Sequence, residues 1–140
     1  MIGIYNWIID NINRRAKFAP VFVRIAISLV VIWFGTNQLL NPEQWISLLP
    51  EWTTLLPVSQ VGLIYFNGWF ELIFGLALLV GFYTRLSAFL IAMHLLDITF
   101  TVGYSAIGVR DFGLAISALS VFLSGPDIWS IDKVFEKETV

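Results

Sequence analysis

Four stretches of this chain are apolar over close to the length that crosses a bilayer, and three of them carry ionisable side chains in their interior. A spanning helix needs about 20 mostly apolar residues. Such stretches run over about 18–40, 61–83, 86–104 and 111–124. The last is short, so it must tilt little, begin in the preceding loop, or sit in a thinned bilayer. Arg24 lies in the first span, Glu71 in the second, and His94 and Asp97 in the third. An Asp at the centre of a membrane helix costs roughly 2.5–3.5 kcal/mol on insertion scales. Such groups persist where they face a partner, a cavity or the protein interior.

Composition agrees with this pattern. The chain is 58% hydrophobic and only 13% charged, with a mean hydropathy of +0.81; a soluble domain is nearer 45–50% apolar. The expectation is one all-α transmembrane domain over 1–140, an antiparallel four-helix bundle whose first partner is the lipid bilayer. A net charge of −2 with no basic run gives no footprint for nucleic acid. Without cysteine, the chain cannot form a disulfide or a thiolate metal site. Redox chemistry would need a bound cofactor or another subunit.

Residues 1–17 do not read as a signal peptide, because Asp10 interrupts the apolar run and no small-residue cleavage site follows it. Tyr5, Ile8, Ile9, Ile12 and Ala16 share one helical face, and Asn6, Asp10, Asn13, Arg14 and Lys17 another. This predicts a helix in the membrane interface, anchored by Trp7. Arg14, Arg15, Lys17, Arg85, Lys133 and Lys137 fall on one side of a four-span topology, against Arg110 on the other. The expected location is the cell membrane, multi-pass, with both termini cytoplasmic. The 41–60 loop, with Trp45, Trp52 and three prolines, becomes a compact outer cap. Gly125-Pro126 ends the fourth span, 125–140 forms the cytoplasmic tail, and 132–140 within it is expected to be polar and mobile.

At 100° per residue each span shows one polar or small row. The rows are Arg24, Ser28, Gly35 and Gln38; Asn67, Gly68, Glu71 and Gly75; Ser87, His94, Asp97, Thr101 and Tyr104; and Gly113, Ser117, Ser120 and Ser124. Small residues let membrane helices approach and polar ones bond across the contact, so these rows are expected to face inward. At 1.5 Å per residue, Glu71, Asp97 and His94 lie roughly 18, 16 and 12 Å from the cytoplasmic ends of their helices. They are expected to meet near mid-membrane, with Asn67 and Arg24 within reach, as a ligand-binding or proton-relay cluster. A purely structural polar core stands beside that reading. Arg110 and Asp111 form a polar pair at the outer end. One histidine and two carboxylates at loose spacing do not make a metal site, so none is expected.

Several runs together resemble the DoxX-like membrane family, of the DoxX/DoxD type. They are Gly35 through Gln38 to Pro42, Gly68-Trp69-Phe70-Glu71 on to Gly75, the turn from Gly81 to Leu86 with Arg85, Arg110-Asp111, and Ser130-Ile131-Asp132. Their order and spacing match over about 21–132. The resemblance implies a four-helix membrane protein and carries over Glu71, Arg85, Arg110, Asp111 and Asp132. Gln38 stands where the family often has lysine. Some relatives of the DoxD type are subunits of a thiosulfate:quinone oxidoreductase. This implies a membrane subunit of a quinone-linked oxidoreductase, with quinone as the cofactor and a partner subunit or a second copy as partner. A non-catalytic assembly or accessory protein is the alternative. A small proton-coupled transporter ranks third, because four spans without repeats or broken helices suit it poorly.

Overall fold

The computed structural model describes residues 2–138, and every regular element among them is helical. Helix α1 (Ile2–Arg15) passes through one 3₁₀ turn, Ala16–Phe18, into α2 (Ala19–Leu40). Two 3₁₀ turns, Pro42–Leu48 and Glu51–Leu55, make the connection to α3 (Gln60–Val80). Then come α4 (Thr84–Val102), α5 (Ala106–Ser124) and the short α6 (Ile131–Glu138). Four helical stretches are long and apolar enough to cross a membrane: Gly3–Leu40, Gln60–Val80, Thr84–Val102 and Ala106–Ser124.

Local chemistry sets the helix limits. Ser59 and Ser105 cap α3 and α5, each hydroxyl accepting a backbone N–H three residues on at 3.1 Å. This satisfies one of the amides a helix start leaves unpaired. The Ser105 cap starts α5 five residues before the apolar run suggests. Its 19 residues then span about 28 Å, close to the hydrocarbon thickness, so no thinned bilayer is needed. Gly81 ends α3 in the left-handed region, φ 72°. Phe82 N–H returns to the Ala77 carbonyl at 2.9 Å, as in a Schellman close. The expected mobile tail is instead helical over Ile131–Glu138. The first residue of the expected interfacial helix and the last two of the tail lie outside the described residues.

Helix α2 packs most extensively on α3, and α4 on α5. Lipid tails are as apolar as leucine, so close packing and polar contacts must hold these pairs. Gly35 and Gly68 meet where α2 passes α3: a Cβ on Gly35 would stand 2.7 Å from the Gly68 carbonyl oxygen. The core joins Ile27 and Val31 of α2 to Leu78, Ala88, Ile91, Ala92, Leu95, Ala115, Ala118 and Val121. Phe22, Leu29, Trp33, Ile73, Leu76 and Ile116 are exposed on the outer faces.

The expected inward rows hold for α2 and, with Asn67 half-buried, for α3. On α4 only the start of the row is inside. Ser87 is buried and His94 half-buried, whereas Asp97, Thr101 and Tyr104 are exposed. From Ser87 to Tyr104 that row drifts by about 100° around the helix, and the buried face follows Ser87, Ala88, Ile91, Ala92 and Leu95 instead. On α5 the row is on the wrong side. Gly113, Ser120 and Ser124 are exposed, and Gly108, Asp111, Ala115, Ala118 and Val121 are buried. Ser117 Oγ donates to the Gly113 carbonyl at 2.8 Å, so this row can face outward without leaving that hydroxyl unpaired.

Candidate functional site

Helices α2, α3, α4 and α5 separate at the end that carries the 41–59 connection. They enclose a cavity of about 280 Å³, roofed by Trp45, Leu48, Pro50, Trp52 and Thr53. The helices contribute Phe34 and Gln38, Asn67 and Glu71, His94 and Asp97, and Arg110 and Asp111.

Glu71 is the centre of the polar floor. It is only 3% exposed. Its Oε2 accepts from Gln38 Nε2 at 2.9 Å. Asn67 Nδ2 donates to Gln38 Oε1 at 2.6 Å and reaches Glu71 Oε1 at 3.5 Å. The Gly35–Gly68 approach makes this chain of contacts possible, because it brings α2 and α3 close one turn away. His94 comes from α4. Its Nε2 lies 3.5 Å from Glu71 Oε1, and that buried nitrogen has no hydrogen-bond partner among the described residues. Phe70 lies against the imidazole, ring centroids 4.6 Å apart, and fixes its plane.

Arg110 and Asp111, the expected polar pair, line the same cavity. Asp111 is 2% exposed and accepts from Arg110 Nε at 2.7 Å. The guanidinium lies 4.0 Å from the centre of the Phe34 ring, within cation–π range. Phe34 in turn meets Trp45 edge-on at 5.7 Å, which ties the roof to the walls. Asp97 lines the cavity but is exposed.

Arg24 is not part of this cluster. It lies 14 residues before Gln38 on α2, about 21 Å along the axis. Its guanidinium pairs with Asp127 (Nε to Oδ2, 2.6 Å) and donates to the carbonyls of Leu78, at 2.8 Å, and Leu79. The structure thus brings Glu71, Asn67, His94, Asp97, Arg110 and Asp111 to one cavity and leaves Arg24 at the far end. Sequence reasoning missed two residues. Gln38 stands in the inward row of α2, but that row does not show that it is a direct partner of Glu71. Asp127 follows the fourth span at the end where the first begins, and there it meets Arg24. No group of three His, Asp or Glu side chains among the described residues is arranged to hold a metal ion.

The sequence model of the DoxX family matches residues 19–104, well over half the chain. The chain belongs to the DoxX family. With its four apolar helices, it is a multi-pass membrane protein. The DoxX match covers α2, α3 and α4, and so includes Gln38, Asn67, Glu71, His94 and Asp97. Arg110, Asp111 and Asp132 lie beyond it. No curated protein and no solved structure matches this DoxX chain.

Proposed function

We propose that this DoxX-family protein is the membrane subunit of a quinone-linked oxidoreductase, holding a quinone-like ring in the cavity and exchanging protons through Glu71, His94 and Asp97. The observation that carries this reading is the pairing of a buried carboxylate with a histidine whose inward nitrogen has no hydrogen bond. Quinone chemistry needs an apolar slot, a donor to a ring oxygen and a proton route. A cavity of about 150 Å³ holds benzene, and this one is nearly twice that. His94 Nε2 serves as donor to the ring oxygen. Glu71, held by Gln38 and Asn67, takes up or supplies the proton. Asp97 connects the site to the surface.

The arrangement in the membrane is part of the proposal. One transmembrane domain over 1–140 has its four spans alternating in direction as an antiparallel bundle. Helix α1 lies in the cytoplasmic interface, and both termini are cytoplasmic. The cavity then opens toward the outer side. The excess of Lys and Arg at the α3–α4 turn and beside α1 and α6 supports this orientation.

A second reading draws on α5. Its outward row of Gly113, Ser117, Ser120 and Ser124 suits close approach by another membrane helix, as in an assembly or accessory subunit without turnover. Native mass spectrometry of gently purified protein separates the two. A stoichiometric ring ligand, lost in folded Glu71→Ala and His94→Ala variants, is the expected result. Ligand-free protein bound to a second subunit, with full function in Glu71→Gln, would favour the accessory role.

A further inference from the structure

Three carboxyl groups and one guanidinium line the cavity: Glu71, Asp97, Asp111 and Arg110. The guanidinium is already matched. It bonds Asp111 at 2.7 Å and covers the face of Phe34. Glu71 accepts from Gln38 and faces His94. Asp97 differs from both. It has no hydrogen bond or ion pair among the described residues, and it is exposed. It lies five residues, about 8 Å, from the end of α4. Phe66 of α3 and Thr101 of α4 also line the cavity and are also exposed. The cavity therefore reaches the surface between α3 and α4, with Asp97 on its rim.

This balance of groups discriminates between ligands. An ionised carboxylate only accepts hydrogen bonds. An anion arriving at the rim meets Asp97 first, and the charge of Arg110 inside is balanced by Asp111. Repulsion and loss of hydration both act against it in a site walled by apolar side chains. A neutral ring bearing hydroxyl groups brings the donors that Asp97 lacks. We infer that the cavity selects a neutral, hydroxyl-bearing ring, the reduced hydroquinone class, and rejects anions, with Asp97 setting that choice at the rim. This rests on the cavity being a ring-ligand site.

The test uses the full chain in nanodiscs of zwitterionic lipid, without oxygen. Binding is measured calorimetrically for three probes: tetramethylhydroquinone, its dimethyl ether and hydroquinone sulfonate. The hydroquinone is expected to bind roughly ten-fold or more tighter than the ether, as befits hydrogen bonds to charged groups, and the sulfonate not to bind. Asp97→Asn, checked for unchanged helicity, narrows the hydroquinone-to-ether ratio several-fold and admits the sulfonate; Asp97→Glu keeps the wild-type order. Equal binding of ether and hydroquinone, tight binding of the sulfonate to the wild type, or no change in Asp97→Asn would each overturn the selection. If none of the three probes binds, the ring-ligand reading fails along with it. Binding without discrimination removes the selection alone.

Discussion

The two ends of the helix assembly treat buried charge in opposite ways. At the end with the α3–α4 turn, Arg24 is 1% exposed and fully engaged by Asp127 and two carbonyls. Asp127 also accepts from Trp129 N–H at 2.9 Å. Asp132 sends both oxygens to the first amides of α4, at Tyr83 and Thr84. Arg85 Nη1 donates to the carbonyls of Phe122 and Leu123, at the end of α5. These contacts run between distant parts of the chain and hold the last segment to the turn. At the other end the helices part around a cavity, His94 Nε2 lacks a hydrogen bond, and Asp97 has no partner among the described residues. Ionisable groups inside a membrane protein are costly wherever they sit. Where each is matched, the cost is met within the fold. Where the matching is incomplete, there is something left for a ligand or a proton to complete.

That contrast predicts a graded set of stability effects. Arg24→Ala leaves Asp127 as an unpaired buried charge, and a loss of about 3–5 kcal/mol is expected, read as a large fall in the thermal midpoint in detergent. Arg24→Met combined with Asp127→Leu recovers most of it. Gly35→Ala forces a Cβ to within 2.9 Å of Leu72 N and closer to the Gly68 oxygen. Overpacking of this kind costs about 1–3 kcal/mol, and the Glu71–Gln38 contact one turn away weakens with it. Asp132→Ala removes the cap of α4, worth about 1 kcal/mol, and hydrogen exchange at the Tyr83 and Thr84 amides speeds up. Glu71→Gln is the smallest change to the fold, about 1 kcal/mol, because the new amide oxygen can still accept from Gln38. It should nonetheless reduce ring-ligand binding more than ten-fold. Should Glu71→Gln prove as destabilising as Arg24→Ala, the two ends do not differ, and the cavity groups are packing elements.

Legibility in the sequence was uneven for the same physical reasons. The rows on α2 and α3 could be read because glycines and polar groups recur there at helical spacing on the faces that pack inward. The α5 row misled because small and polar residues there mark a face that stays outside, while the buried face is Gly108, Asp111, Ala115, Ala118 and Val121. The α4 row misled at Asp97, where the turn of the helix outruns the counting. Glu71, Asn67 and His94 could be picked out as candidates because each is polar where apolar residues are expected. Gln38 as the partner of Glu71 could not, since that depends on how far α2 slides along α3. The tail was misread because Asp132 and Asp127 look like ordinary surface acids until the helix start and the arginine they serve are in place.

What the residues determined by themselves is the membrane class, the four apolar helices and the family. These follow from hydropathy and 3.6-residue periodicity, which act within a few turns of one helix. What the tertiary structure alone decided is who meets whom. Arg24 finds Asp127 across 103 positions, Asp111 turns into the same cavity as Glu71, and Asp97 is left at a rim. Such pairings depend on the rotation and slide of whole helices against one another, and close glycine contacts and long-range polar bonds set those together.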